Sequence, residues 1–205
     1  LLKKKSKFKI KKSSNYLENF HLNIKKNNLN KIRINIFKKL NKNKFNKRYY
    51  DICSKYIEPI VGLENVIQKK INLSIQLPND DSSLLPVHSD TWAGDSPFEI
   101  VVWIPLVDCR KSQSMFILPR NTKSFRNFNR KSFRSEKEIM NTIKNEIKFI
   151  NIKYGQILVF SQNLPHGNII NKESETRWSL NCRFKNVFTP YVDKKIGEFY
   201  EPITL

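Results

Sequence analysis

A chain of 205 residues, 39% hydrophobic and 12% aromatic, has the length and bulk for one domain with a real core. Five glycines against nine prolines leave little room for glycine-rich phosphate loops. The net charge of +20 is uneven, with +16 in residues 1–50 and +4 in the other 155; no nucleic-acid motif accompanies it, so no nucleic-acid partner is expected.

Residues 1–15 (LLKKKSKFKIKKSSN) predict a flexible basic arm, and the chain opens on Leu rather than Met, as a fragment would. Residues 16–205 then read as a single domain. Over 16–66 the apolar spacing is helical: Leu17, Phe20, Ile24; Ile32, Ile36, Phe37, Leu40; Tyr49, Ile52, Tyr56, Ile60. Two or three helices are expected there, broken at Asn27-Asn28 and over 41–46, with Pro59 near the last end. Residues 71–190 change period. Ile71, Leu73, Ile75 and Leu77 alternate with Asn72, Ser74 and Gln76, a half-buried strand. Residues 85–90 are expected to be a strand, followed by the loop 91–97. The run 98–107 (FEIVVWIPLV) reads as a strand buried on both faces, and 115–118 as a short one. Residues 121–137 read as an irregular polar insertion over a site, carrying Arg126, Arg130 and Arg134 just after Arg120, and 138–145 as a short helix. Strands are expected at 147–152, 157–160, 167–170 and 178–185. This mainly β pattern with N-terminal helices favours a barrel or sandwich over a βαβ fold.

Cys53, Cys109 and Cys182 are odd in number and widely spaced, without a CxxC pair, which suits a reducing cytoplasm better than a disulfide framework. No apolar run approaches the ~18 residues of a membrane span.

Two of the three histidines fall in one constellation. In Val87-His88-Ser89-Asp90 an extended backbone turns His88 and Asp90 to the same side, and His166, 76 residues past Asp90, can return from a distant strand. Two imidazoles and one carboxylate form the facial set that leaves positions open on non-haem Fe(II). Eleven residues past His166, the stretch Arg177–Phe184 alternates strictly. Arg177, Ser179, Asn181 and Arg183 make a polar face, and Trp178, Leu180, Cys182 and Phe184 an apolar one. Beside metal-ligand candidates, the polar face is expected to line a wet cavity, with Arg177 and Ser179 gripping a carboxylate. Trp92 and Asp95, in the loop after the metal residues, offer a flat ring beside a carboxylate, which suits a sugar. Gln76 and Trp103 are candidates for the cavity wall, and the arginines of the insertion for a nucleotide-sugar diphosphate.

The stretches HSDTWAGDSPFEIVVWIPLVDC, SMFILPRNTKSF, KYGQILVFSQNLPHGN and ETRWSLNCRF resemble the Fe(II)/2-oxoglutarate dioxygenases of the phytanoyl-CoA hydroxylase-like superfamily. The likeness is greatest to the branch holding the StrG protein of streptomycin biosynthesis and oxygenases of bacterial surface-carbohydrate clusters. It covers about residues 71–190. It implies a double-stranded β-helix (a jelly-roll, cupin-like barrel) with His88, Asp90 and His166 as iron ligands. Arg177 and Ser179, with Gln76 beside them, would hold 2-oxoglutarate, and O2 would be the second co-substrate. Trp92, Asp95, Trp103, Asn181 and Arg183 would face a small molecule, a sugar or nucleotide-sugar. The chain departs from the family at LPRNTKSF, where relatives commonly carry PGSH, which leaves the substrate side open. The alternatives are a cupin-like metal-binding isomerase or binding protein, and a basic nucleic-acid accessory protein.

Overall fold

The protein is described by a computed structural model over residues 15–42 and 45–203, so the expected arm lies almost wholly outside the described residues. Two helices, α1 (Leu29–Lys42) and α2 (Phe45–Val61), precede two antiparallel sheets. The larger sheet is organised on one ten-residue strand. Numbering strands in chain order, β1 (Asn65–Gln68) and β2 (Asn72–Gln76) pair with successive halves of one edge of β8 (Arg177–Asn186). On its other edge lies β3 (Ile100–Pro105), which also pairs with β6 (Leu158–Ser161); β9 (Tyr200–Pro202) extends the sheet beyond β1. The smaller sheet runs β5 (Lys148–Phe149), β4 (Phe116–Ile117), β7 (His166–Gly167).

The alternation in β8 sets where the core sits. Trp178 packs with Phe20, Leu29 and Ile75, its indole donating to the Leu17 carbonyl at 3.0 Å and the Phe20 ring meeting it edge-on at 4.8 Å. Leu180, Cys182 and Phe184 pack instead under α2, against Tyr49, Cys53 and Ile57. The Tyr49 hydroxyl reaches through this layer to donate to the Val102 carbonyl at 2.8 Å, so a wholly buried phenol is satisfied. β3 is buried along nearly its whole length, as its unbroken apolar run requires.

Several expectations are corrected. Two apolar stripes run along α2, and the sheet takes Tyr49, Cys53, Ile57 and Val61, leaving Ile52, Tyr56 and Ile60 exposed. Residues 85–90 do not form a strand. His88 makes an isolated bridge to His166, and Asp90 opens a 3-10 turn (Asp90–Ala93) closed by Gly94 at φ 84°, a left-handed geometry natural to glycine. The insertion is not wholly irregular: it holds one helical turn, α3 (Lys123–Arg126), and the short helix expected at 138–145 follows as α4 (Glu136–Ile143), with a small core of Phe125, Phe128, Phe133, Ile139 and Ile143 packed against Phe116, Leu118 and Val87. Ser135 caps α4 by accepting from the Glu138 N–H. β1, which straddles the end of the stretch read as helical, and β9 carry too few residues to show a period. Among the described residues the strands form these two sheets without a hydrogen-bonded ladder closing them into a ring.

Candidate metal centre

His88 and His166 exchange both backbone hydrogen bonds, N–H to carbonyl at 2.9 and 2.8 Å. In antiparallel pairing that places both side chains on one face, and the imidazole centroids lie 4.3 Å apart. The approach is possible because residue 167 is glycine: a Cβ there would stand 2.8 Å from the Leu85 carbonyl oxygen and 3.0 Å from that of Pro86. Asp90 is drawn in by its own N–H, which donates to the Gln162 carbonyl at 3.2 Å. One donor atom from each of His88, Asp90 and His166 then lies within 4.8 Å of the others. Ser89 turns away, its hydroxyl donating to the same Gln162 carbonyl at 2.8 Å.

The chemistry of the donor set fits a divalent metal. Each imidazole is anchored through Nδ1, 2.8 Å from the carbonyl two residues back (Pro86 for His88, Leu164 for His166). That anchoring gives the tautomer with Nδ1–H and leaves the Nε2 lone pair free to ligate. Burial and then the neighbouring His88 press the His166 pKa down to about 4, so this ring is neutral at physiological pH. Burial works the same way on His88, but the Asp90 and Pro86 hydrogen bonds outweigh it and raise the imidazole. Burial would raise Asp90, yet the His88 hydrogen bond and the Arg183 charge hold the carboxyl well below its usual range. Asp90 Oδ2 is buried with no hydrogen-bond partner among the described residues, an acceptor that protein interiors rarely leave idle.

The centre opens into a cavity of about 690 Å³, within the size range of small-molecule sites. The odd positions of β8 line it, Arg177, Ser179, Asn181 and Arg183, with Ser74 and Asn72 from β2 and Val101 and Trp103 from β3. Arg177 is 3% exposed and donates to the Ser74 hydroxyl at 2.9 Å. Among the described residues its Nε has no partner and no carboxylate pairs with it. Burial first, and then the nearby Arg33, lower its pKa to about 10. A guanidinium in that position calls for an anion.

The other sequence candidates fall in different places. Trp103 lines the cavity, and Asn181 does so while accepting from the Asn72 amide at 2.8 Å. Gln76 is the cross-strand partner of Arg177 but does not line the cavity; its amide donates to the Ile169 carbonyl. Asp95 and Arg183 are committed to ion pairs: Asp95 to Lys194 at 2.5 Å, and Arg183 to Asp90 at 2.9 Å and Asp95 at 4.0 Å. Trp92 and Asp95 do not line the same cavity. Trp92 lines a second cavity of about 520 Å³ with Arg130 and Glu136, its ring stacked on Phe128 at 5.4 Å. Of the insertion's arginines, Arg130 alone lines either cavity. Sequence reasoning missed Ser74, Lys194 and Arg33. Ser74 had a signal in the alternation of β2; Lys194 and Arg33 reach the site only through tertiary packing.

No family model and no curated protein matches the chain. Solved structures share its fold. The nickel complex of the non-heme monooxygenase ThoJ superposes with a TM-score of 0.52 at 14% identity, over 72% of this chain and 54% of that one. ThoJ without metal gives 0.53 at 12%, over 72% and 55%. Apo EctD from S. alaskensis gives 0.51 at 16%, over 69% and 54%. The chain thus spans a little over half the length of the structures it matches.

Proposed function

We propose that the chain is the catalytic core of a non-haem Fe(II)- and 2-oxoglutarate-dependent oxygenase of the phytanoyl-CoA hydroxylase-like superfamily, with residues 16–205 as one domain built on a double-stranded β-helix. The observation that carries this reading is a buried guanidinium without a carboxylate, Arg177, in the same cavity as a His–Asp–His donor set.

His88, Asp90 and His166 would hold the metal. When bound, Fe(II) supplies the centre at which O2 is reduced while 2-oxoglutarate leaves as succinate and CO2 and a substrate C–H is oxidised. The rest falls to the protein's own groups. Arg177 pairs with the distal carboxylate of 2-oxoglutarate through its fork of N–H donors, and the Ser74 and Ser179 hydroxyls stand beside it as further donors. The backbone carbonyls on each Nδ1–H keep both Nε2 lone pairs aimed inward. Val101, Trp103, Met115 and Phe160 form the apolar wall that limits water at the reacting end.

On the substrate side, the cavity presents Arg33, Arg177, Arg183 and Lys194 against Asp90 and Asp95, with Asp80 beside Arg33. A metal dication and a 2-oxoglutarate dianion cancel one another, so the balance favours a neutral or anionic small molecule. A sugar or sugar-derived metabolite in bacterial surface-polysaccharide or secondary metabolism fits, as the carbohydrate branch of the resemblance suggests. Three buried cysteine thiols, free of disulfides, suit a cytoplasmic setting, and among the described residues no helix is long and apolar enough to cross a membrane. The test is succinate release from 2-oxoglutarate, dependent on both Fe(II) and O2, in the wild type and in His166→Ala. Release that persists without iron, or in the variant, contradicts the assignment.

A further inference from the structure

Arg183 lies on the polar face of β8, six residues past Arg177, and its guanidinium is engaged by neighbouring side chains of the cavity wall. One Nη forms an ion pair with Asp90 Oδ1 at 2.9 Å, the other donates to Gln68 Oε1 at 3.2 Å, and Nε stands 4.0 Å from Asp95 Oδ1. Asp95 is fixed in turn by Lys194 at 2.5 Å. The result is a buried row of alternating charge, Asp90–Arg183–Asp95–Lys194, in which the Arg183 side chain is 14% exposed and the two carboxylates 6% and 1%. The same Asp90 Oδ1 lies 3.6 Å from His88 Nε2, and Oδ2 is buried without a hydrogen-bond partner among the described residues.

On the oxygenase reading above, we infer that Arg183 is a positioning residue that restricts Asp90 to one ligand oxygen and so keeps a coordination position free for the chelating co-substrate. A carboxylate can give a metal one oxygen or both. The Arg183 ion pair sets cationic charge against one carboxylate oxygen alone, so the two oxygens are unequal donors to a metal. The bond also locks the carboxylate plane, since Arg183 is itself held by Gln68 and Asp95. Without this restraint Asp90 could give a bound metal both oxygens and would take up one of the positions that 2-oxoglutarate and O2 need. Asp95, placed by sequence among the residues facing substrate, belongs to this support together with Lys194.

The test uses Co(II), whose visible absorption reports coordination number, on the whole chain. Variants are Arg183→Met, which keeps the aliphatic stem, and Arg183→Lys, which restores one cationic donor; circular dichroism and thermal melts establish that each is folded. In Arg183→Met, Co(II) is expected still to bind through the three ligands but with an altered visible spectrum. Its titration with 2-oxoglutarate should be at least about tenfold weaker than in the wild type, and Arg183→Lys should recover part of the loss. A folded Arg183→Met whose Co(II) spectrum and 2-oxoglutarate titration match the wild type overturns the inference. If Arg183→Met is unfolded, Arg183→Lys decides: an intermediate response supports the inference and a wild-type response overturns it. Should the wild type bind Co(II) and ignore 2-oxoglutarate, the oxygenase reading fails, and the Co(II) spectra alone decide the role of Arg183. A wild type that binds no Co(II) overturns both.

Discussion

Replacing Arg177 with methionine should move two measurements in opposite directions. The guanidinium is 3% exposed with no carboxylate partner, and burial pulls its pKa from 12.5 to about 10. That displacement biases the site against the charged form by about 3 kcal/mol. Methionine removes the buried charge and keeps an aliphatic stem of similar reach. It gives up the hydrogen bond to Ser74, worth about 1 kcal/mol. The ligand-free protein should therefore be unchanged or stabilised by up to about 2 kcal/mol, read from urea denaturation. Binding of 2-oxoglutarate to the metal-loaded protein loses the partner of a desolvated carboxylate, a loss of about 2–5 kcal/mol, or roughly 30-fold to several thousand-fold in Kd. Anaerobic calorimetric titration measures it. An apo protein destabilised by more than about 2 kcal/mol, together with unaltered 2-oxoglutarate affinity, would show that Arg177 is a structural cation and refute the reasoning.

Gly167→Ala sets a methyl against the Leu85 and Pro86 carbonyls, at a cost of about 1–3 kcal/mol. Because it separates the two histidines, metal affinity should fall as well; denaturation and metal titration check both. The His166 imidazole has its pKa at about 4 in the folded chain against 6.5 for an ordinary histidine. The unfolded chain takes up that proton first, so this residue removes up to about 3 kcal/mol of metal-free stability as pH falls from 6.5 to 4 and changes nothing above 6.5. Urea midpoints across that window test it, and His166→Gln should flatten the slope. Ile139→Ala hollows the small core of the insertion and should cost about 2–4 kcal/mol of local stability. Proteolysis over 121–145 reads the loosening, and an unchanged cleavage rate would mean that the helices are held from elsewhere.

What the sequence disclosed depended on how many residues shared one pattern. Eight alternating positions in β8 defined its polar and apolar faces, and the structure puts the first in the cavity and the second in two apolar clusters. β2 and β3 were legible for the same reason. The phase of α2 was not, because Ile52, Tyr56 and Ile60 make as good a stripe as Cys53, Ile57 and Val61, and the sheet's shape chose between them. Of the site, the pairing of two histidines 78 residues apart could be guessed from spacing, but the reciprocal backbone bonds that bring them together could not. Charge partners were the least legible. Arg183 and Asp95 read as residues awaiting a substrate until Asp90 and Lys194 were seen to occupy them.

The most direct measurement is the visible absorption of the protein under anaerobic conditions as Fe(II) and 2-oxoglutarate are added. A weak charge-transfer band should appear only when both are present, be absent in His166→Ala, and require far more 2-oxoglutarate in Arg177→Met. Wild-type protein that binds Fe(II) and gives no band with 2-oxoglutarate, or a band of full strength in His166→Ala, would contradict the assignment of His88, Asp90, His166 and Arg177 to one oxygenase centre.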